Sequence, residues 1–176
     1  MRITISGPPG SGKTTVCGML AERTGNPAVV FGRLFRDMAA ERGLTLAELG
    51  ALAEKEPSID HEIDQRILKM AAAGEDMILE SRLSAQMLER NGIPAFKVYL
   101  DADPLVRAER VGRREGENLE QAAEDMVRRQ ESEAKRYLQY YGIDLFDLSV
   151  YDLVIDTGAM SPGEVVETIA RNMDGD

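Results

Sequence analysis

Apolar residues along the chain fall into two alternating kinds of stretch. Short apolar runs at residues 3–6, 28–31, 77–80, 96–100 and 153–156 have the length and make-up of buried strands. Between them, residues 13–23, 34–42, 46–54, 59–73, 105–113, 119–141 and 163–172 carry apolar positions at three- and four-residue spacing and predict helices, the Ile59-Ile63-Ile67 stripe among them. The alternation predicts a doubly wound α/β domain on a five-stranded parallel sheet. Gly and Pro cluster between the elements, at Gly25-Asn26-Pro27, Gly92-Ile93-Pro94 and Ser161-Pro162-Gly163. No repeat, low-complexity tract or linker interrupts the 176 residues, which read as one domain.

The first predicted strand runs directly into Gly7-Pro8-Pro9-Gly10-Ser11-Gly12-Lys13-Thr14, a complete G-x-x-x-x-G-K-T phosphate loop, and a helical Val16-Met19-Leu20 stripe follows it. Glycines at this spacing let successive backbone N–H groups turn onto the β- and γ-phosphates of a nucleotide, while the next helix aims its positive N-terminus at them. Lys13 adds a point charge and Thr14 a ligand for Mg²⁺. The loop makes the fold a P-loop three-layer sandwich. Two stretches exceed what such a core needs: residues 33–73 place several helices between the second and third strands, and residues 107–142 place long charged helices between the fourth and fifth. Open α/β sheets bind ligands beyond the carboxyl ends of their strands, where insertions form flaps, so a second substrate is expected.

Charge sharpens this. With 21 Lys and Arg against 31 Asp and Glu the net charge is −10, which disfavours nucleic acid and anionic membranes as partners. Yet Arg107, Arg110, Arg113, Arg114, Arg128, Arg129, Lys135 and Arg136 crowd one short region. Arg107, Arg110 and Arg114 share one helical face, and Arg129, Glu133 and Arg136 another. Planar guanidinium groups clamp the spread charge of a phosphoryl group in flight, or else pair with neighbouring glutamates on a solvated helix. Arg33 and Arg36 stand one turn apart at a helix start, where the dipole disfavours cations unless an anion is held. Glu80-Ser81-Arg82 ends the third strand, so Glu80 is a candidate to hold Mg²⁺ through water and Arg82 a substrate phosphate.

Other chemistries lack support. His61 is the single histidine and Cys17 the single cysteine, so neither a zinc site nor a Ser-His-Asp triad is suggested, and Cys17 reads as a packing residue. No stretch has the length and polarity of a membrane span or a signal segment, and a reducing cytoplasm is the expected compartment. GTPase signatures D-x-x-G and N-K-x-D are missing, and the few aromatics do not make a nucleic-acid face.

Taken together, Gly7 to Thr15, Phe35-Arg36-Asp37-Met38-Ala39, Glu80-Ser81-Arg82-Leu83, Phe96-Lys97-Val98-Tyr99-Leu100-Asp101, Arg136-Tyr137, Tyr141-Gly142-Ile143-Asp144 and Tyr151 to Thr157 resemble the archaeal type of cytidylate kinase over nearly the whole chain. The resemblance implies transfer of the γ-phosphoryl of ATP, with Mg²⁺, to CMP or dCMP by a monomer or weak homodimer. It makes Gly7, Pro8, Pro9, Gly10, Ser11, Gly12, Lys13, Thr14 and Thr15 the ATP loop, and Arg36 and Arg82 the monophosphate holders in a flap at 33–73. The arginines after Arg107 become a mobile lid, with Arg110 and Arg114 candidates to act beside Lys13. Arg129, Glu133 and Arg136 are similar to the arginine, acid and arginine that hold the acceptor in bacterial relatives, although the acid there is Asp. Ser81 also departs from the glycine the family favours. Asp60 and Asp64 are candidates to accept from the cytosine N4 amine, unless they face solvent on the polar side of the isoleucine stripe. Small P-loop kinases acting on AMP, UMP or dephospho-coenzyme A, or a regulatory P-loop ATPase, remain as alternatives.

Overall fold

In chain order the elements are β1 (Arg2–Ser6), α1 (Lys13–Thr24), β2 (Ala28–Val30), α2 (Phe31–Glu41), α3 (Leu46–Ala53), α4 (Pro57–Ala72), β3 (Met77–Glu80), α5 (Ser84–Arg90), β4 (Phe96–Asp101), α6 (Pro104–Glu115), α7 (Leu119–Tyr141), β5 (Leu153–Asp156) and α8 (Pro162–Met173). The computed structural model describes residues 1–173. All five predicted strands form and pair in parallel in the order β2-β3-β1-β4-β5. Ile5 lies opposite Glu80 on β3 and Val98 on β4, so the strands end together at one edge. That common edge carries the phosphate loop, Glu80, Arg82, Asp101 and Thr157.

Alternation along the strands sends side chains to two cores. Ile3, Ile5, Ile78, Val98 and Leu100 pack with Val16, Cys17 and Leu20 of α1 and with Val165, Val166 and Ile169 of α8. Met77 and Leu79 face the other way, onto Met38, Leu49, Ile59, Ile63, Ile67 and Leu88. The insertion expected at 33–73 is thus the helical layer α2–α4, rooted in the sheet by its own apolar stripe. Truncating the fully buried Ile63 to Ala would cost about 2–5 kcal/mol.

Local chemistry sets the helix ends. Thr45 and Glu48 form a reciprocal capping box on α3, Pro57 opens α4, and the Asn118 side chain accepts from Gln121 N at 2.9 Å to start α7. Helix α5 is a departure from the expected elements. Its seven residues follow a turn closed by Ser81 Oγ, which accepts from Leu83 N at 3.1 Å and Ser84 N at 2.9 Å. Helix α2 also begins earlier than expected, at Phe31, which places Arg33 within its first turn. The predicted lid folds as the pair α6 and α7, joined around Ala108, Val111, Ala122 and Met126. No helix among the described residues is long and apolar enough to cross a membrane.

Candidate active site

The phosphate loop leaves β1 along a path only glycine tolerates. A Cβ on Gly7 (φ +146°) would lie 2.0 Å from the Leu100 carbonyl oxygen, and one on Gly10 (φ +78°) 2.5 Å from that of Arg107. Lys13 follows at the first turn of α1, nearly buried, with Nζ donating to the Pro8 carbonyl at 2.9 Å. Burial, then the charge of Arg82, hold its ammonium well below the usual lysine range, with Glu80 and Glu133 pulling the other way. A polyanion at the loop would push it back up. Thr14 and Thr15 are exposed, and Thr14 Oγ1 donates to Glu80 Oε2 at 3.3 Å. A hydroxyl and a carboxylate side by side at the end of β3 are hard oxygen donors of the kind Mg²⁺ takes when phosphates complete its shell, so these residues fit the ion.

Beyond the loop a chain of cations and carboxylates runs across to α4. Arg82, reaching from the end of β3, donates through Nε to Glu133 Oε2 at 2.6 Å and through Nη1 to the Gly7 carbonyl. Burial works most strongly against its charge, but Glu133, Tyr137 and Glu80 together lift the guanidinium pKa further. Arg136, one turn along α7 from Glu133, donates through Nε to Asp60 Oδ2 at 2.8 Å and through Nη1 to Ser132 Oγ at 2.8 Å. Asp60 and Asp64 are 1% and 4% exposed, so neither faces solvent on the polar side of the isoleucine stripe. The reason is α7, which covers that side of α4. The carboxylate of Asp60 is taken up by Arg136. Asp64 accepts from the Tyr141 hydroxyl, and burial pushes its carboxyl up to about 6 against that hydrogen bond.

The three arginines predicted to share a lid face have three different fates. Arg107 is buried and braces the loop from behind, donating to Ala102 O at 3.0 Å, Pro9 O at 3.3 Å and Gln130 Oε1 at 3.1 Å. Arg110 donates to Gly10 O at 3.3 Å and to Thr157 O at 2.7 Å. Arg114 sits in the exposed last turn of α6 and pairs with Glu115 at 2.7 Å. The helical face that carries all three therefore runs from core to solvent. Arg33, Arg36 and Arg129 are exposed and pair with no carboxylate among the described residues.

Two residues of the neighbourhood entered the sequence reading only as members of the segments that carry the resemblance, with no role given to either. Thr157 is buried, and its Oγ1 bridges Arg110 at 3.0 Å and the Ser11 carbonyl at 3.0 Å, tying β5 to the loop. Tyr141 caps the far end of α7 against Asp64, with the His61 ring edge-on at 4.8 Å. Cys17 is fully buried beneath the loop, and burial pushes its thiol up to about 12, as fits a packing residue.

Comparison with other proteins bears on this geometry. A family model described as the cytidylate kinase-like family matches residues 2–159. A cytidylate kinase of Methanococcus maripaludis (strain C5) is 43% identical over 175 residues, 99% of this chain and 98% of that one. A cytidylate kinase of Pyrococcus furiosus is 45% identical over 172 residues, covering 98% and 88% of the two chains. Among solved structures, a shikimate kinase from Bacteroides thetaiotaomicron superposes with a TM-score of 0.63 at 15% identity, over 99% of this chain and 98% of that one, a likeness of fold alone.

Proposed function

The chain belongs to the cytidylate kinase-like family, and we propose on that premise that it transfers the γ-phosphoryl of ATP to CMP or dCMP, giving ADP and CDP or dCDP. The observation that carries the assignment to this site is the succession of Lys13 on the Pro8 carbonyl, Arg82 on Gly7 and Glu133, and Arg136 on Asp60, from the phosphate loop to the flap helix α4. Lys13 and the loop of residues 7–15 hold the donor phosphates, the loop through the backbone N–H groups of its non-proline residues. Thr14 and Glu80 are the residues to hold Mg²⁺, which supplies neutralisation of phosphate charge when bound. Arg82, Arg36 and Arg136 hold the acceptor phosphate, with Arg33 and Arg129 at its margins, Glu133 exchanging its bond to Arg82 for the acceptor, and Asp60 behind Arg136.

The attacking group is a phosphate oxygen that is already anionic, so alignment and charge neutralisation supply the rate rather than a general base. Arg110 contacts Gly10 of the loop and so stands nearer the transferred phosphoryl than Arg114, which needs the end of α6 to swing inward. Closure on both substrates keeps water from the phosphoryl. A cytoplasmic location and action as a monomer or weak homodimer belong to the same proposal.

The test is ADP released from Mg²⁺-ATP in separate reactions with CMP, dCMP, UMP, AMP, GMP and dephospho-coenzyme A, with Lys13→Ala as control. Rapid ADP formation with CMP or dCMP is the expected result. ADP formed equally in every reaction, with or without acceptor, would show an ATPase instead.

A further inference from the structure

Helix α7 meets the flap through a file of polar contacts that simple packing does not require. Ser132 Oγ donates to Glu54 Oε1 at 2.6 Å, and the Tyr140 hydroxyl donates to the carbonyls of Ala53 and Glu54 at 3.0 and 2.9 Å. Next comes the Asp60–Arg136 pair. One turn farther along α4 the file ends in the hydrogen bond from Tyr141 to Asp64. This last contact is the costly one. Asp64 is 4% exposed, and a neutral hydroxyl is its single hydrogen-bond partner among the described residues. A carboxylate so placed stabilises the fold less than an apolar pair of the same shape would. What a buried, directional bond does supply is register: slipping α7 by one residue rotates each of its side chains about 100° around the helix.

That register matters because the face of α7 that carries Arg129, Glu133 and Arg136 is the face turned to the acceptor. Without an end-stop, Arg136 keeps Asp60 as a partner over a range of helix rotations, since a long guanidinium side chain follows the carboxylate. The short Asp64 and the stiff Tyr141 ring, held edge-on by His61, do not permit such drift. We propose that Asp64 and Tyr141 are positioning residues for the acceptor nucleotide: their hydrogen bond locks α7 in rotation against α4 and so sets Arg136 and Glu133 where the monophosphate docks. The inference rests on the acceptor reading of this site.

Steady-state kinetics of the full chain test it, varying CMP at saturating Mg²⁺-ATP and then the reverse, with thermal melting of each variant alongside. Tyr141→Phe keeps the ring and removes the hydroxyl. It is expected to raise the CMP KM about five- to tenfold, the worth of one buried hydrogen bond, and to leave the ATP KM and kcat within about twofold. Asp64→Asn keeps an oxygen that accepts the same bond and is expected to retain the wild-type CMP KM, whereas Asp64→Ala follows Tyr141→Phe. A role confined to stability moves the melting temperature without separating the two KM values. An unchanged CMP KM in Tyr141→Phe, or equal rises for both substrates, overturns the inference. Should Tyr141→Phe fail to fold, a wild-type CMP KM in Asp64→Ala overturns it equally. Wild-type protein that phosphorylates no monophosphate overturns the acceptor reading and this inference with it.

Discussion

Replacing Asp64 by Asn is expected to make the protein more stable near neutral pH, and the size of the gain follows from the burial of one carboxyl. Burial pushes the Asp64 carboxyl from 3.8 up to about 6; the Tyr141 hydrogen bond and the charge of Arg136 oppose this, and the charge of Asp60 adds to it. The folded protein thus keeps a proton there that the unfolded chain gives up, so stability falls as pH rises from about 4 to about 6 and stays low above that. A displacement of that size corresponds to about 3 kcal/mol at neutral pH relative to acid. Asn cannot ionise and escapes the penalty. That figure already includes the favourable hydrogen bond from Tyr141 to the carboxylate, so nothing more is subtracted for it. The net expectation for Asp64→Asn is about 2–3 kcal/mol of added stability at pH 7.5, or about 4–12 °C in melting temperature, nearly vanishing at pH 4. Other groups around the contact also titrate or carry charge, namely Asp60, His61, Arg90, Glu133, Arg136 and Tyr137. Urea unfolding of both proteins at pH 4, 5, 6 and 7.5 cancels them in the difference. A difference independent of pH, or a variant less stable than wild type at pH 7.5, would refute the reasoning.

Lys13→Ala should lower kcat about 10²–10³-fold, as expected for one donor to the transferred phosphoryl, with an unchanged circular dichroism spectrum. Arg36→Ala should raise the CMP KM about tenfold or more without moving the ATP KM or the melting temperature, since Arg36 is exposed and unpaired; equal effects on both substrates would reject its assignment. Arg82→Ala should do both: the CMP KM rises as in Arg36→Ala, and urea unfolding registers a loss of about 1–3 kcal/mol because Glu133, 15% exposed, keeps its charge without its partner. An Arg82→Ala protein as stable as wild type would show that the ion pair with Glu133 contributes nothing to the fold.

The strands and the loop were legible because both are written in local patterns, whereas the order of the strands in the sheet was not. Each strand is a contiguous apolar run, and the phosphate loop is a contiguous string whose glycine positions answer to close backbone contacts at Gly7 and Gly10. Helix α5 escaped because periodicity reports only half-buried helices: Ser84, Ala85, Gln86, Met87 and Leu88 are all buried, so no polar face alternates with an apolar one. The burial and the partners of the two aspartates of α4, themselves named as candidates, escaped for a different reason. Their spacing puts them beside the isoleucine stripe, and nothing near them announces that a helix some seventy residues away covers that side. Arg107 shows the same limit. Shared face and shared charge grouped it with Arg110 and Arg114, but the depth of a residue along a helix face depends on what α6 leans on, and there the loop and Gln130 receive it.

Arg82 and Arg136 each already hold a carboxylate of the protein, and Lys13 holds a carbonyl. Small inorganic anions therefore meet a receptor with a resident competitor. A carboxylate fixed within the fold acts on its guanidinium at an effective concentration of the order of millimolar or higher, so free phosphate or sulfate gains little by taking its place. A nucleotide brings sugar and base along with its phosphate, and those extra contacts tip the exchange. On the proposed reading of the site, discrimination between a metabolite and the salts that surround it thus begins with the protein's own acids, before any group reads the base.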